Sequence, residues 1–447
     1  MSLTVKVLVG MAAGIVTGLA LNLTGLNVAG TFVNMFIVDG LFHAVGTMFI
    51  NALKMLVVPL VFFSLICGVC GIGNIRMLGR VGSKAFGLYM LTTAIAIAVS
   101  ISIAAAVGIG EGMEQHSAAE FTGRDSPPLS QVLIDIIPSN PIRAMADGDM
   151  LPIIFFAILT GISLLMVGHK ARSFVEGAEV ANEVMMKMVM IVMATAPYAV
   201  FALIAKAVAD LGFDLLQSLA GYVVVLVGAL MLHLFITLMI VLKLFSGLSP
   251  VVFLRKIRNA QIFAFSTASS NATIPVTMRT VTERMGVNNS VASFTVPFGA
   301  TINMDGTAIM QGVATVFIAN VYSIDLGMGG YLTVILMSVL ASIGTAGVPG
   351  VGLIMLSMVF VQVNLPVEGI GLVLGVDRLM DMIRTAVNVS GDAVVSTIVA
   401  KSEDSIAIDV FNDADAGMLD YPSAMHIDPG VEAEMAEAIE TVHDSER

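Results

Sequence analysis

Charge is what this sequence has least of. Asp, Glu, Lys and Arg make up 12% of its 447 residues, against about a quarter in an average soluble domain. So few charges cannot cover a water-exposed surface, and much of this surface must face lipid. Cysteine is nearly absent. Cys67 and Cys70 have the spacing of a redox motif, but they lie in an apolar run without the exposed, polarised setting of a reactive thiolate, and they read as small packing residues. Six histidines, His43, His116, His169, His233, His426 and His443, are scattered without metal-ligand spacing. No nucleophile–base pair or metal cluster is visible, which argues against an enzyme. The N-terminal apolar run follows one lysine and lacks a small-residue cleavage site, so it reads as a retained first span and not as a signal peptide.

Negative charge is scarce too, outside one stretch. The net charge is −12. Residues 402–447 hold 13 acids and one base, and the 401 residues before them hold 20 of each. That acidic tail has few aromatics and is expected to be a solvated, disordered appendage.

What the sequence has in abundance is apolar residues, 57% of the chain, with a mean hydropathy of +0.94. A spanning helix needs roughly 20 apolar residues. Charge-free stretches run over 7–38, 55–75, 85–110, 151–168, 188–205 and 215–242. After 258 the pattern changes: 259–278 is rich in Ser, Thr and Asn, 285–324 carries Asp305 as its one charge, and 326–367 is Gly-rich. With eight full spans, Lys6, Arg76, Arg80, Lys84, Lys170, Arg172, Lys243, Arg255, Lys256, Arg258 and Lys401 fall on one side, which the positive-inside rule makes cytoplasmic. Both termini are then cytoplasmic in a multi-pass protein of the cell (inner) membrane.

Two segments resemble each other. Ser269-Ser270-Asn271-Ala272-Thr273-Ile274-Pro275 and Ile343-Gly344-Thr345-Ala346-Gly347-Val348-Pro349 share a small, small, x, Ala, x, aliphatic, Pro pattern. The flanking charges put them on opposite sides, as expected of inverted repeats around a transporter's binding site. Ionisable groups inside a membrane are functional by default. Asp305 lies in Asn303-Met304-Asp305-Gly306-Thr307, where Gly306 is expected to loosen the helix and free carbonyls; carboxylate, amide and carbonyl oxygens suit a small hard cation. Asp377, Asp381, Arg384, Asn388 and Asp392 are spaced 4, 3, 4 and 4 apart and form one helical stripe, with Thr385 beside it. Asp381 suits the ammonium of an acidic amino acid and Arg384 a carboxylate; an internal Asp381–Arg384 salt bridge is the plainer alternative.

These motifs closely resemble those of the glutamate/aspartate and neutral amino-acid transporter family, the dicarboxylate/amino acid:cation symporters, over about 1–401. The resemblance implies an all-α polytopic membrane protein of elevator type, with eight transmembrane helices plus two re-entrant helical hairpins, about 259–284 and 326–362. It implies a trimerising scaffold of 1–75 (spans 1–2) and 147–210 (spans 4–5), and a transport domain of 78–110 (span 3) and 215–401. Matching positions imply substrate contacts at Ser270, Thr307, Val348, Gly352, Asp381, Arg384, Thr385 and Asn388. Sodium ions would be held in three places: by Gly299, Asn303, Asn388 and Asp392; by the carbonyls of Thr301, Ser342, Ile343 and Thr345; and by Tyr89, Thr92, Thr93, Asn303 and Asp305. The implied function is symport of aspartate or glutamate with sodium by a homotrimer in lipid. The alternatives are a C4-dicarboxylate or neutral amino-acid carrier, or proton-coupled uptake. Three positions depart from the family pattern. Ala268 and Met382 stand where many acidic-substrate members carry an arginine, and Asn271 replaces a third serine. Arg378 lies one helical turn before Met382.

Overall fold

The structure, a computed structural model, describes residues 3–28, 31–70, 78–111, 134, 136–343, 347, 350–414, 416 and 417. Thr345, Val348 and the tail from 418 on, all singled out in the sequence, lie outside the described residues. Among the described residues the fold is all-helical, with a single isolated bridge, Val287 to Ile406, in place of any strand. The helices are α1 (Leu3–Leu23), α2 (His43–Cys70), α3 (Ser83–Val107), α4 (Pro141–Asp147), α5 (Met150–Val167), α6 (Arg172–Ala194), α7 (Ala196–Leu232) and α8 (Leu238–Ser246). They continue with α9 (Pro250–Thr267), α10 (Ser270–Arg279), α11 (Asn289–Ile302), α12 (Asp305–Val321), α13 (Gly327–Ser342), α14 (Val351–Gln362), α15 (Ile370–Ser402) and α16 (Ile408–Asn412).

Among the described residues, five stretches are long and apolar enough to cross a membrane: Val5–Leu23, Asn34–Cys70, Arg80–Val107, Pro152–Ala194 and Leu215–Ser246. Large apolar side chains such as Val16, Met48, Ile191, Val224 and Leu244 point outward, as they do towards hydrocarbon and not water. The apolar run 7–38 proves to be two elements. α1 stops at Leu23, Gly25 takes a left-handed turn (φ 67°), and a π-helical stretch from Asn34 leads into α2. The run 188–205 is likewise divided, where α6 ends and α7 begins around Thr195. α1 lies close along the first half of α7 because its contact ridge is glycine at four-residue spacing. A Cβ on Gly14 would come 2.8 Å from the carbonyl oxygen of Phe201, and one on Gly18 2.7 Å from that of Ala205; small residues are what lets helix backbones approach this closely in membranes. α7 breaks at Gly212 (φ 63°), between the segments expected to belong to different domains.

Two pairs of helices occupy the stretches where the re-entrant hairpins are expected. The first begins at Pro250, nine residues before the expected start at 259, because Arg255, Lys256 and Arg258 are helical. Lys256 is fully buried, and its ammonium donates to the carbonyls of Arg284 at 2.5 Å and Val410 at 2.7 Å, so a charge inside this helix is satisfied by backbone. The second unit, α13 and α14, matches 326–362. The tail also needs correcting at its start. Residues 403–412 are packed and not a solvated appendage: the Asn288 N–H donates to Ser405 O at 2.8 Å, the Ala407 N–H to Gly286 O at 2.8 Å, and Phe411 is fully buried. Glu403 meets Arg80 at 2.5 Å and Lys84 at 2.6 Å.

Candidate functional site: a buried guanidinium beside a cluster of oxygen ligands

α15 carries the polar stripe as one buried face. Asp377, Asp381, Arg384, Thr385, Asn388 and Asp392 are all buried, and Arg384 has no exposed surface. Nη2 of Arg384 lies 2.9 Å from Asp377 and 3.0 Å from Asp381, so the salt bridge read as an alternative does exist. It leaves the guanidinium unfinished, because Nε and Nη1 are buried and have no acceptor among the described residues. Burying donors without partners costs about 1–3 kcal/mol, more when they are charged, and an acceptor brought to these nitrogens would recover that cost. The N-terminal end of α14 sits over the group. A Cβ on Gly352 would lie 3.3 Å from Arg384 Nη2, and the Gly350 N–H points to Asp381 Oδ2 at 3.4 Å.

The turn between α9 and α10 meets Gly347, which lies between α13 and α14. Ser269 caps α10, accepting from the Ala272 N–H at 3.2 Å. Its hydroxyl donates to Gly347 O at 2.7 Å, and the Asn271 N–H donates to the same carbonyl at 3.1 Å. Ser270 is buried beside this junction, and a Cβ on Gly347 would come 2.9 Å from Ala300 O. The internally similar segments therefore touch each other and the end of α11.

Between α11 and α12 the helix is interrupted, though not where the sequence suggested. Asn303 and Met304 carry the non-helical angles, and Asp305 opens α12, where a carboxylate suits the helix dipole. Gly306 is helical. Its N–H donates to Asn388 Oδ1 at 2.7 Å, and a Cβ there would come 2.9 Å from the Cα of Arg384, so glycine is needed for close approach to α15. Thr307 is buried in the next position.

Asp305, fully buried, accepts from Thr93 at 2.6 Å and Thr92 at 3.4 Å. Thr92 also lies 3.5 Å from Asn303 Oδ1, and Tyr89 packs alongside, its hydroxyl donating to Thr295 O at 2.9 Å. Asn303 Nδ2 reaches Asp392 at 2.9 Å and Asn388 O at 3.4 Å. A Cβ on Gly299 would meet the Asp392 carboxylate and lie 2.7 Å from the Tyr89 hydroxyl. Two of the three expected cation sets are thus brought together as clusters of buried oxygens, the donor chemistry that suits a small hard cation. The third is not gathered by any hydrogen bond among the described residues. The hydroxyls of Thr301 and Ser342 bond within their own helices, Ile343 follows Ser342, and Thr345 is outside the description. Thr385 likewise bonds to Asp381 O at 2.7 Å in its own helix.

One participant was missed in the sequence. His233 opens a short π-helical stretch between α7 and α8, and its Nε2 lies 3.0 Å from Asp305 Oδ2. Both groups are buried, and His233 Nδ1 has no hydrogen-bond partner among the described residues. A lone histidine in an apolar run gave no signal by spacing. Its partner lies 72 residues further on.

Similarity to known proteins agrees with this geometry. The family described as the sodium:dicarboxylate symporter family matches residues 3–402. The proton/glutamate-aspartate symporter of Escherichia coli (strain K12) is 35% identical over 380 residues, covering 82% of this chain and 86% of that protein. The C4-dicarboxylate transport protein of Bacillus subtilis (strain 168) is 32% identical over 410 residues, 90% of this chain and 94% of that one. The proton/sodium-glutamate symport protein of Bacillus caldotenax is 33% identical over 405 residues, 88% and 95% respectively. These relatives are symporters and not enzymes. A match across nearly the whole body of the chain, together with the apolar helices and the buried polar stripe, makes this protein a membrane transporter of the sodium:dicarboxylate symporter family.

Proposed function

We propose that this transporter couples the entry of sodium ions to uptake of an acidic amino acid, aspartate or glutamate. The observation that carries the reading is Arg384: a fully buried guanidinium with open donors, one turn from Asp381 on a single helix face. Arg384 takes the side-chain carboxylate of the substrate and Asp381 its ammonium. Asn388, Thr385, Thr307, Ser270 and Gly352 complete the pocket, with Val348 on the hairpin turn. Sodium travels as cargo on Asp305, Thr92, Thr93, Tyr89 and Asn303, and on Asp392, Gly299, Asn303 and Asn388. Thr301, Ser342, Ile343 and Thr345 supply carbonyls at a third position. Asn388 bonds the backbone beside Asp305 and lies one turn from Arg384. A group shared between ion and substrate positions gives each a reason to favour the other's binding, and such coupling is reciprocal.

Eight spans and two re-entrant hairpins, 250–284 and 326–362, fit the helix order. Residues 1–75 and 147–210 form a trimerising scaffold, and 78–110 with 215–401 a mobile unit that crosses the membrane as an elevator. Both termini are cytoplasmic. The C4-dicarboxylate reading draws on the Bacillus subtilis relative; it stands second because a ligand without an ammonium leaves the charge of Asp381 to the protein's own guanidiniums. The test is thermal stabilisation of the purified protein by aspartate, glutamate, serine and succinate, each with and without sodium. Stabilisation by the two acidic amino acids in sodium alone supports the reading. Stabilisation by any of them that is indifferent to sodium contradicts it.

A further inference from the structure

Arg378 has no counterpart in the site carried over from the family, yet it stands at the edge of that site. Its Nη1 is 3.6 Å from Asp381 Oδ2, while Arg384 holds the other oxygen, Oδ1, at 3.0 Å. The two guanidiniums differ in kind. Arg384 is sealed, with a side-chain exposure of 0%, and Arg378 retains 17%. At 3.6 Å the Arg378–Asp381 pair is a charge contact and not a formed hydrogen bond. A charge contact without a formed hydrogen bond, made by a partly exposed side chain, can be exchanged for another cation at that oxygen. Asp377, Asp381, Arg378 and Arg384 together sum to zero charge, so Arg378 supplies the counter-charge that Arg384, shared between two carboxylates, does not. Ala268 and Met382 bring no cation to the neighbourhood.

We infer that Arg378 is a specificity-determining residue. It is the resident counter-ion of Asp381, displaced when the ammonium of an acidic amino acid arrives and retained when a dicarboxylate without an ammonium binds. The inference rests on the reading of Arg384 as the carboxylate anchor. With Arg378 in place the site admits both ligand classes: the amino acid by exchange of cations on Asp381, the plain dicarboxylate because Asp381 stays neutralised. Without it, an ammonium meets no competitor, whereas a dianion faces an uncompensated carboxylate. Selectivity set by such a repulsive element is a difference between two affinities.

The experiment is calorimetric binding of aspartate and succinate, in saturating sodium, to the full-length protein and to Arg378→Gln, Arg378→Met and Arg378→Lys. Wild type should bind both ligands. In the two neutral variants the ratio of succinate Kd to aspartate Kd should rise about tenfold or more, and in the lysine variant it should stay within about threefold of wild type. Either neutral variant suffices if the other fails to fold. An unchanged ratio, or equal weakening of both ligands, overturns the inference while leaving the role of Arg384 standing; equal weakening would make Arg378 a direct carboxylate anchor. Wild type that binds aspartate but not succinate also overturns it. Wild type that binds neither ligand overturns the reading of Arg384 itself, and the inference with it.

Discussion

Arg384 carries two carboxylates on one nitrogen and leaves two others bare, all without exposed surface. That imbalance makes the residue the most sensitive point of the substrate site. Truncating one partner of a buried charge pair typically costs about 3–5 kcal/mol, which is more than about a hundredfold in affinity. Arg384→Cys should therefore abolish aspartate binding and leave, or create, sodium-dependent binding of small neutral amino acids such as serine. Asp381→Asn should impair both, because each substrate brings an ammonium. Calorimetry with aspartate and serine distinguishes the two variants, and unchanged aspartate affinity in Arg384→Cys would remove the carboxylate anchor from the account. His233 acts at the same scale but through another group. Bonded to Asp305 Oδ2, it leaves Oδ1 turned to Thr92 and Thr93. Loss of such an outer partner typically costs about 10–100-fold in metal affinity. His233→Ala should raise the sodium concentration that half-saturates aspartate binding by about tenfold or more, with aspartate affinity recovered at high sodium. A sodium dependence identical to wild type would make the histidine a packing residue.

At the scale of elements, the sequence was most legible where one helix carried all the information. The stripe on α15 needed only the helical period, and Asp377 through Asp392 are buried together as that period requires. The two turn segments were legible because their small residues repeat, and Ser269 and Asn271 do meet Gly347. Where function depended on an unseen partner, the sequence was mute. His233 needs Asp305 to be interesting. Lys256 fell outside the expected first hairpin because nothing local shows that the carbonyls of Arg284 and Val410 wait for it. The strap after α15 was hidden by its acidic composition, although Phe411 and the bridge from Ile406 to Val287 fasten it to the base of the first hairpin. A chain ending at 417 should keep its stability. One ending at 402 should lose roughly 2–3 kcal/mol from the burial of Phe411 alone, read as a lower melting midpoint. Glu403 adds a pH signature. The hydrogen bond from Lys84, and then the charge of Arg80, hold its carboxyl below the ordinary range. Its stabilisation is thus present above the unfolded-state value, about 4.3, and is lost as pH falls through the lower folded value. Glu403→Gln should melt below wild type at neutral pH, and the two should converge in acid once the folded-state carboxyl is protonated. A constant gap across that range would mean the ion pairs contribute nothing.

For the whole molecule, the break at Gly212 lies where a fixed and a moving part would join, and the glycine ridge of α1 fastens the first half of α7 to the N-terminal helices. In the proposed topology the stretch 111–150 is on the outside and the tail 402–447 in the cytoplasm. An impermeant reagent should label the former in intact cells and the latter after permeabilisation; tail labelling in intact cells would break the eight-span arrangement. The central claim is that sodium entry drives the substrate. Each net positive charge moving inward gains about 2.3 kcal/mol per 100 mV, enough to support accumulation. The relatives divide between proton-named and sodium-named symporters, so the driving ion is the point on which everything else turns. The measurement that tests it most directly is uptake of labelled aspartate into proteoliposomes under an imposed gradient of one ion at a time. An inward sodium gradient should drive concentrative uptake in the wild type and none in Arg384→Cys, and a proton gradient in sodium-free medium should drive none in either. Accumulation on the proton gradient alone would contradict the account.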